Sequence, residues 1–404
     1  MSLAGRAEEN LPVITGCGVV SPIGIGAAAF WSAVQSGAAG ARPVRAFDSS
    51  AMCNHVGCEV DDARLDAAAG AAGFQQLPRA SRLAAVAAAE ALQATGLAAE
   101  EVDGLYVGTT LGNLPEIETE LAGVARGIGS TAAAATLGRD FASGIAQALG
   151  VCGATLTVAT SCSAGNVALC RAADAIAAGS HRRLLVGGAD GFSRLAFVGF
   201  SRMRAMAATS CTPFARGREG MLLGEGAGFL LLESRRSARA RGAPILAAVA
   251  GYGLSCDACH LATPDLSGRG AASAIGQALE SAGLAPRDVD YVSAHGTGTL
   301  ANDLAEGRAC QAVFGDDQPY ISSLKALTGH SLGAASALEA VAAVLSLRDQ
   351  RLIPAWNVAA PDPQCGVRLA LPEDLGGAAT LDVILSNAFA FGGNNSCVAL
   401  RRSA

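Results

Sequence analysis

Residues 155–179, TLTVATSCSAGNVALCRAADAIAAG, contain a turn that organises the reading of the whole chain. Leu156 and Val158 suit a buried strand, and from Asn166 to Ala178 apolar residues recur at helical spacing. Cys162 therefore falls where a strand hands over to a helix. Backbone N–H groups at a helix N-terminus lack intrahelical partners and carry partial positive charge, so they favour a thiolate over a thiol. The same groups can form an oxyanion hole. Ser163, Ala164 and Gly165 are small and leave room for a substrate to reach the sulfur. Most free cysteines are inert packing residues, but this placement at a turn identifies Cys162 as a nucleophile.

Working outward, the same order of elements occurs twice. Residues 81–95, SRLAAVAAAEALQAT, form a helix pattern ending at Gly96, and AAEEVDGLYVGTTLG then supplies a strand with a glycine-rich exit. Residues 272–298, ASAIGQALESAGLAPRDVDYVSAHGTG, repeat it: helix, Gly-Leu, acidic turn, Val-Asp, strand, Gly-Thr. The nucleophile unit has its own counterpart in residues 320–347, YISSLKALTGHSLGAASALEAVAAVLSL, which sets Cys162-Ser163-Ala164-Gly165 against His330-Ser331-Leu332-Gly333. Each half closes on glycines before a strand, Gly224 to Gly228 ahead of FLLLE and Gly392-Gly393 ahead of SCVALR. Upstream, residues 12–20 read as a first strand, 27–36 as a helix and 40–80 as a polar, irregular stretch. Strands alternating with helices predict α/β halves with mostly parallel sheets and right-handed crossovers. The division falls at 1–242 and 243–404. The period alone leaves two independent α/β domains open; matched helix starts favour two halves facing one site.

Composition narrows the classes. Hydrophobic residues at 51% against 16% charged suit extensive internal burial and a large subunit interface. No run reaches the roughly 18 apolar residues of a membrane span. MSLAGRAEENLPVITG carries acidic residues and no apolar h-region, which points to a cytoplasmic protein rather than an exported one. The 12 cysteines are scattered through a long apolar chain, the pattern of reduced thiols. A net charge of −6 argues against nucleic acid as a partner.

Of the 5 histidines, two occupy glycine-rich turns after strands, Ala294-His295-Gly296-Thr297-Gly298-Thr299 and Thr328-Gly329-His330-Ser331. Lys325 precedes His330, and Asp303 and Glu306 follow His295, so a lysine–carboxylate pair can orient the site. With these residues in view, the chain resembles the β-ketoacyl carrier-protein synthases, condensing enzymes of the thiolase superfamily with a Cys-His-His triad. The resemblance spans essentially the whole chain. It runs in order through VITGCGVVSPIG, VATSCSAG, PFARGREGMLLGEGAG, DACHLATPD, SAHGTGT, SSLKALTGHSLGAAS and SNAFAFGGNN.

The resemblance implies a thiolase-like duplicated fold layered α-β-α-β-α. It implies transfer of an acyl group from the phosphopantetheine of acyl carrier protein to Cys162. Malonyl thioester then loses carbon dioxide while His295 and His330 donate hydrogen bonds to its oxygen, and the carbanion attacks the acyl-cysteine. By the same resemblance the N–H groups of Cys162 and Phe391 form an oxyanion hole, and Lys325, through Glu306, organises the His330 side. Thr297 and Thr299 match threonines that bind the pantetheine arm, Phe391 matches a gate with Gly392 and Gly393 as its flexible partners, and Arg204 matches a basic residue near the carrier-protein entrance. No metal and no resident cofactor are implied. The implied assembly is a homodimer or a heterodimer with a related subunit.

Competing readings are weaker. Gly16-Cys17-Gly18 lacks the third glycine of a dinucleotide fingerprint and runs into Pro22. Cys256-Asp257-Ala258-Cys259-His260 fits the c-type haem attachment pattern, but haem attachment needs export, and the stretch coincides with a loop of the resembled family. A degradative thiolase needs a second cysteine in the loop Phe389–Asn395, which has none. A coenzyme A-primed condensing enzyme would carry Asn at His330. A non-catalytic chain-length factor would lack Cys162. The form His-Gly-Thr-Gly-Thr-x-x-Asn-Asp at 295–303 leans toward specialised polyene or polyketide synthases.

Overall fold

The strands are β1 (Pro12–Ser21), β2 (Gly24–Ile25), β3 (Arg42–Pro43), β4 (Val56–Gly57), β5 (Gly104–Gly108), β6 (Ala154–Val158), β7 (Arg183–Asp190), β8 (Gly226–Ser234), β9 (Ala247–Cys256), β10 (Tyr291–Ser293), β11 (Tyr320–Ser322), β12 (Val383–Phe389) and β13 (Asn394–Arg401). They are seen in a computed structural model that describes residues 8–125, 140–374 and 380–403. Residues 1–7 of the N-terminal stretch read as non-secretory lie outside the described residues.

Among the described residues eleven strands form one continuous sheet in the order β11-β10-β12-β13-β9-β1-β8-β7-β5-β6, with β2 paired to β1. The duplication is visible in this order. In the first half β6, β5 and β7 are parallel neighbours and β8 and β1 follow antiparallel; in the second, β11, β10 and β12 are parallel and β13 and β9 follow antiparallel. The halves join edge to edge where Val13 and Ile14 of β1 face Ala248 and Ala247 of β9.

Side-chain alternation sets the layers, because successive residues of a strand point to opposite faces. In β7, Leu184 and Val186 enter the central core with Ile14, Leu230, Ile384 and Val398, while Leu185 points to an outer core with Leu105 and Phe229. The central core is filled by two helices, Ala164–Ala177 and Ala335–Asp349. Helix Arg79–Gln93 covers the outer face of the first half. Helices Arg269–Ala282 and Leu300–Phe314 cover that of the second. The result is the five-layer α-β-α-β-α order. Because helix Ala335–Asp349 lies between the two sheet halves, every residue from Ala335 to Leu347 is buried. Each fully buried Leu or Val there contributes about 1.5–3 kcal/mol.

Close approach explains several small residues. A Cβ on Gly165 would lie 2.8 Å from the Ala337 backbone nitrogen, so this glycine sets the crossing of the two central helices. One expectation is corrected: within 40–80 the chain is not simply irregular. Asp61 caps a helix, Asp62–Ala72, by accepting from Arg64 N–H, and β3 and β4 pair as a small hairpin.

Candidate active site

The nucleophile turn is built twice, but not in the register set out from the sequence. Ser161 adopts φ +54° at the start of the turn Ser161–Ser163, and the helix begins at Ala164; Leu332 adopts φ +53° at the start of Leu332–Ala334, and its helix begins at Ala335. The counterpart of Cys162 is therefore Gly333, not His330. In the first copy only Ala159 and Thr160 separate the end of β6 from the left-handed residue; in the second, Ser323 to Ser331 separate β11 from it. This longer connection includes the short helix Lys325–Thr328 and delivers both Lys325 and His330.

The vacated symmetry position has its own occupant. Gly333 N–H donates to Asp190 Oδ2 at 2.7 Å. Asp190, at the end of β7 and fully buried, also accepts from Thr109 Oγ1 and from the N–H groups of Thr110 and Leu111. One helix N-terminus thus carries the reactive thiol and the other an internal carboxylate. Burial pushes Asp190 up to about 6 despite these donors.

Cys162, His295, His330 and Lys325 converge, all nearly fully buried. His330 Nε2 lies 3.1 Å from Cys162 Sγ. The rings of His295 and His330 are edge to face, with centroids 5.3 Å apart. The backbone N–H groups of Phe391 and of Cys162 itself favour the ionised form of this sulfur. Burial pushes the thiol up to about 11, against the pull of Phe391 N–H and the Lys325 charge. Burial holds both imidazoles well below the ordinary histidine value, assisted at each by Lys325. Both are neutral near pH 7.

Lys325 behaves differently from the reading by resemblance. Its Nζ donates to Glu339 Oε1 at 2.5 Å and lies 3.3 Å from His295 Nδ1. Its partner is Glu339 rather than Glu306, and it serves His295 rather than the His330 side. An ammonium has only donors, so Nδ1 of His295 accepts, which places the imidazole proton on Nε2. Glu306 instead accepts from the N–H groups of His295 (2.9 Å) and Gly296 (2.8 Å) and from Asn387 Nδ2 (3.3 Å). It fixes the turn that carries His295, as Asp190 fixes the turn at Thr110. Burial raises Glu306 and Glu339 each to about 7.

Asp303, buried beside the same turn, pairs with buried Arg218 at 3.2 Å and accepts from Phe214 N–H. Thr297 Oγ1 and Thr299 Oγ1 lie 2.9 Å apart, and Thr299 caps helix Leu300–Phe314. Phe391 is 37% exposed, its ring 5.6 Å from that of Phe200, and Gly392 and Gly393 beside it adopt φ of 82° and 75°. Arg204 is exposed after helix Arg194–Arg202. Glu339 and Asp190 are the residues that sequence reading missed. A single glutamate inside AASALEAVAAVLSL was the available signal, since a carboxylate in an apolar helix needs a partner.

With the thiol on one repeat and the imidazoles on the other, the molecule falls into the class of thiolase-like condensing acyltransferases. Residues 12–238 match the family model for the β-ketoacyl synthase N-terminal domain, and residues 246–359 that for its C-terminal domain. The chain belongs to the β-ketoacyl synthase family. It is 33% identical to the 3-oxoacyl-[acyl-carrier-protein] synthase 2 of Synechocystis over 98% of this chain and 99% of that one. Among solved structures it is similar to the ishigamide ketosynthase/chain length factor, with TM-score 0.88 and 35% identity over 98% of this chain and 100% of the other. It is also similar to the AntDE:AntF complex, described as a type II polyketide synthase acyl-carrier protein with its ketosynthase bound to the hexaketide. There the TM-score is 0.89 and the identity 27% over 98% and 99% of the two chains.

Proposed function

We propose that this chain is a β-ketoacyl-acyl-carrier-protein synthase and the catalytic subunit of its assembly. The observation that carries this reading is the 3.1 Å approach of His330 Nε2 to Cys162 Sγ at the N-terminal turn of helix Ala164–Ala177. Neutral His330 accepts the thiol proton as Sγ attacks the acyl thioester, and returns it to the departing pantetheine sulfur. The N–H groups of Cys162 and Phe391 hold the tetrahedral oxyanion; one such donor is worth about 2.7–4 kcal/mol.

Once the sulfur is acylated, no S–H faces His330. With its ring proton moved from Nδ1 to Nε2, neutral His330 then donates to the malonyl thioester oxygen alongside the Nε2–H of His295. Two neutral donors stabilise enolate charge as carbon dioxide leaves, and the carbanion attacks the acyl carbon on Cys162. The released thiolate takes up a proton from solvent, and the β-ketoacyl carrier protein departs. Every atom is accounted for without a resident cofactor or metal.

Thr297 and Thr299 stand in the turn beside His295 and are assigned to the pantetheine arm; Phe391 is assigned to gating. Acyl carrier protein is the partner, with Arg204 on its side of the entrance. The second subunit is another copy or a related chain, and similarity to a ketosynthase/chain length factor supports the latter and a specialised pathway. Among the described residues no helix is long and apolar enough to cross a membrane; we place the protein in the cytoplasm.

The test is intact-mass spectrometry with acyl chains presented on carrier protein, followed by malonyl carrier protein. Cys162→Ala is expected to lose the acyl adduct. His295→Ala is expected to lose malonyl decarboxylation while Cys162 still accepts an acyl group at the wild-type rate, and His330→Ala to lose decarboxylation and to acylate Cys162 more slowly. An adduct that persists on Cys162→Ala overturns the nucleophile assignment.

A further inference from the structure

The motif Cys256-Asp257-Ala258-Cys259-His260 has no part in the acyl chemistry, yet it grips the catalytic loop. β9 ends at Cys256, Ala258 bends the chain with φ +50°, and both thiols are exposed. Cys256 Sγ faces the Gly392 carbonyl at 3.8 Å. Asp257 N–H donates to Gly393 O at 3.0 Å, and Gly392 N–H donates to Leu261 O at 2.8 Å. The Asp257 carboxylate accepts from Asn395 Nδ2 at 2.7 Å and from Asp265 N–H at 2.9 Å. The turn these bonds hold begins at Phe391 and packs against the turn Ser161–Ser163 that carries Cys162.

The histidine of the motif is committed elsewhere. His260 Nδ1 accepts from the N–H groups of Ala262 and Thr263, both at 3.0 Å. Its proton therefore sits on Nε2, which has no lone pair to give a metal or haem iron. Among the described residues no group of three or more His, Cys, Asp or Glu side chains is placed to hold a metal ion. What remains is a Cys-x-x-Cys dithiol, a spacing that suits thiol–disulfide chemistry.

We propose that Cys256 and Cys259 form a thiol-oxidation site whose intramolecular disulfide slows reaction at Cys162 through the Phe391–Gly393 turn. The oxidant is a small-molecule disulfide. One cysteine thiolate attacks an oxidant sulfur, giving a mixed disulfide and releasing one thiol; the second cysteine then attacks the protein sulfur of that bond and releases the other thiol. Two electrons pass from the protein sulfurs to the oxidant, and the two protons leave on its two thiols. The closed disulfide removes the Cys256 S–H from the Gly392 carbonyl and draws the Asp257 segment with it. The turn that presents Phe391 N–H then loses its register with Cys162.

The experiment exposes the full chain to oxidised glutathione, maps its disulfides by peptide mass spectrometry and measures iodoacetamide alkylation of the Cys162 peptide. Alkylation needs no acyl substrate, so failure here is distinct from failure of the condensing function. The expected result is a Cys256–Cys259 crosslink with alkylation of Cys162 slowed about fivefold, the rate equivalent of one neutral hydrogen bond, and recovery on reduction. Cys256→Ser and Cys259→Ser are each expected to lack the crosslink and to keep the rate of the reduced enzyme in the presence of the oxidant. Mixed disulfides with glutathione alone, or a crosslink that leaves the Cys162 rate unchanged, would overturn the proposal.

Discussion

Replacing Lys325 by methionine removes the ammonium that lies between Glu339 and His295. Both members of the ion pair are 1% exposed and 2.5 Å apart. Breaking such a pair from one side leaves a buried carboxylate unpaired and costs about 3–5 kcal/mol. Chemical denaturation should register that loss. The second effect is on His295, whose Nδ1 no longer receives the Lys325 proton and whose Nε2–H is no longer enforced. A hydrogen bond to a charged group is worth about 1.5–3 kcal/mol. At about 1.4 kcal/mol per tenfold, decarboxylation of malonyl thioester should slow about ten- to a hundredfold in a carbon dioxide release assay. The Lys325 charge is the second cause, after burial, holding His295 low. Without it the His295 value rises, and the acid limb of the rate profile moves to higher pH. The double variant Lys325→Met, Glu339→Leu separates the two effects, because apolar residues of similar size replace a buried pair with little loss. It should recover most of the stability and none of the decarboxylation. Wild-type decarboxylation in the double variant would refute the assignment of Lys325 to the His295 proton.

Ser161→Gly should preserve or slightly raise stability, whereas Ser161→Val should lose about 1–3 kcal/mol, because φ +54° is strained for a branched side chain; thermal denaturation distinguishes them. Gly165→Ala forces the two central helices apart at Ala337 and should cost about 1–3 kcal/mol by the same measurement. Because burial raises the Cys162 thiol from 9.0 to about 11, its thiolate fraction grows as pH rises toward that value. Alkylation of its peptide should therefore climb about tenfold per pH unit through pH 9, since the thiolate is the nucleophile. A plateau below pH 9 would contradict that burial effect.

The parts of the fold written in local pattern were legible. PVITGCGVV became β1 and Ala27–Ser36 became a helix because each has one clear period and a clean boundary. The thiol and the two histidines were legible because their turns carry distinctive small residues. Helix Asp62–Ala72 was missed because its alanines and glycine show little apolar face, although Asp61 was a readable cap. The register between repeats is not legible because the Ser323–Ser331 connection is longer than its counterpart, and the equivalent residues, Ser161 and Leu332, share a left-handed backbone rather than a side-chain type. The Lys325–Glu339 pair was hidden because it spans separate elements, and Glu306 was the nearer carboxylate in the expected pattern. Its actual bonds go to backbone N–H groups, which no side-chain pairing rule foretells.

The central layer has a consequence for how the molecule comes apart. Helix Ala164–Ala177 belongs to the first half of the chain, but Asn166 N–H donates to Ser336 Oγ and its side-chain amide to the Ser386 carbonyl. Asp190, from the same half, ties down Gly333 in the other. Neither half can shed its partner without uncovering the apolar helix it shares and stranding buried polar groups. The two halves are therefore expected to lose their central layer together rather than one after the other.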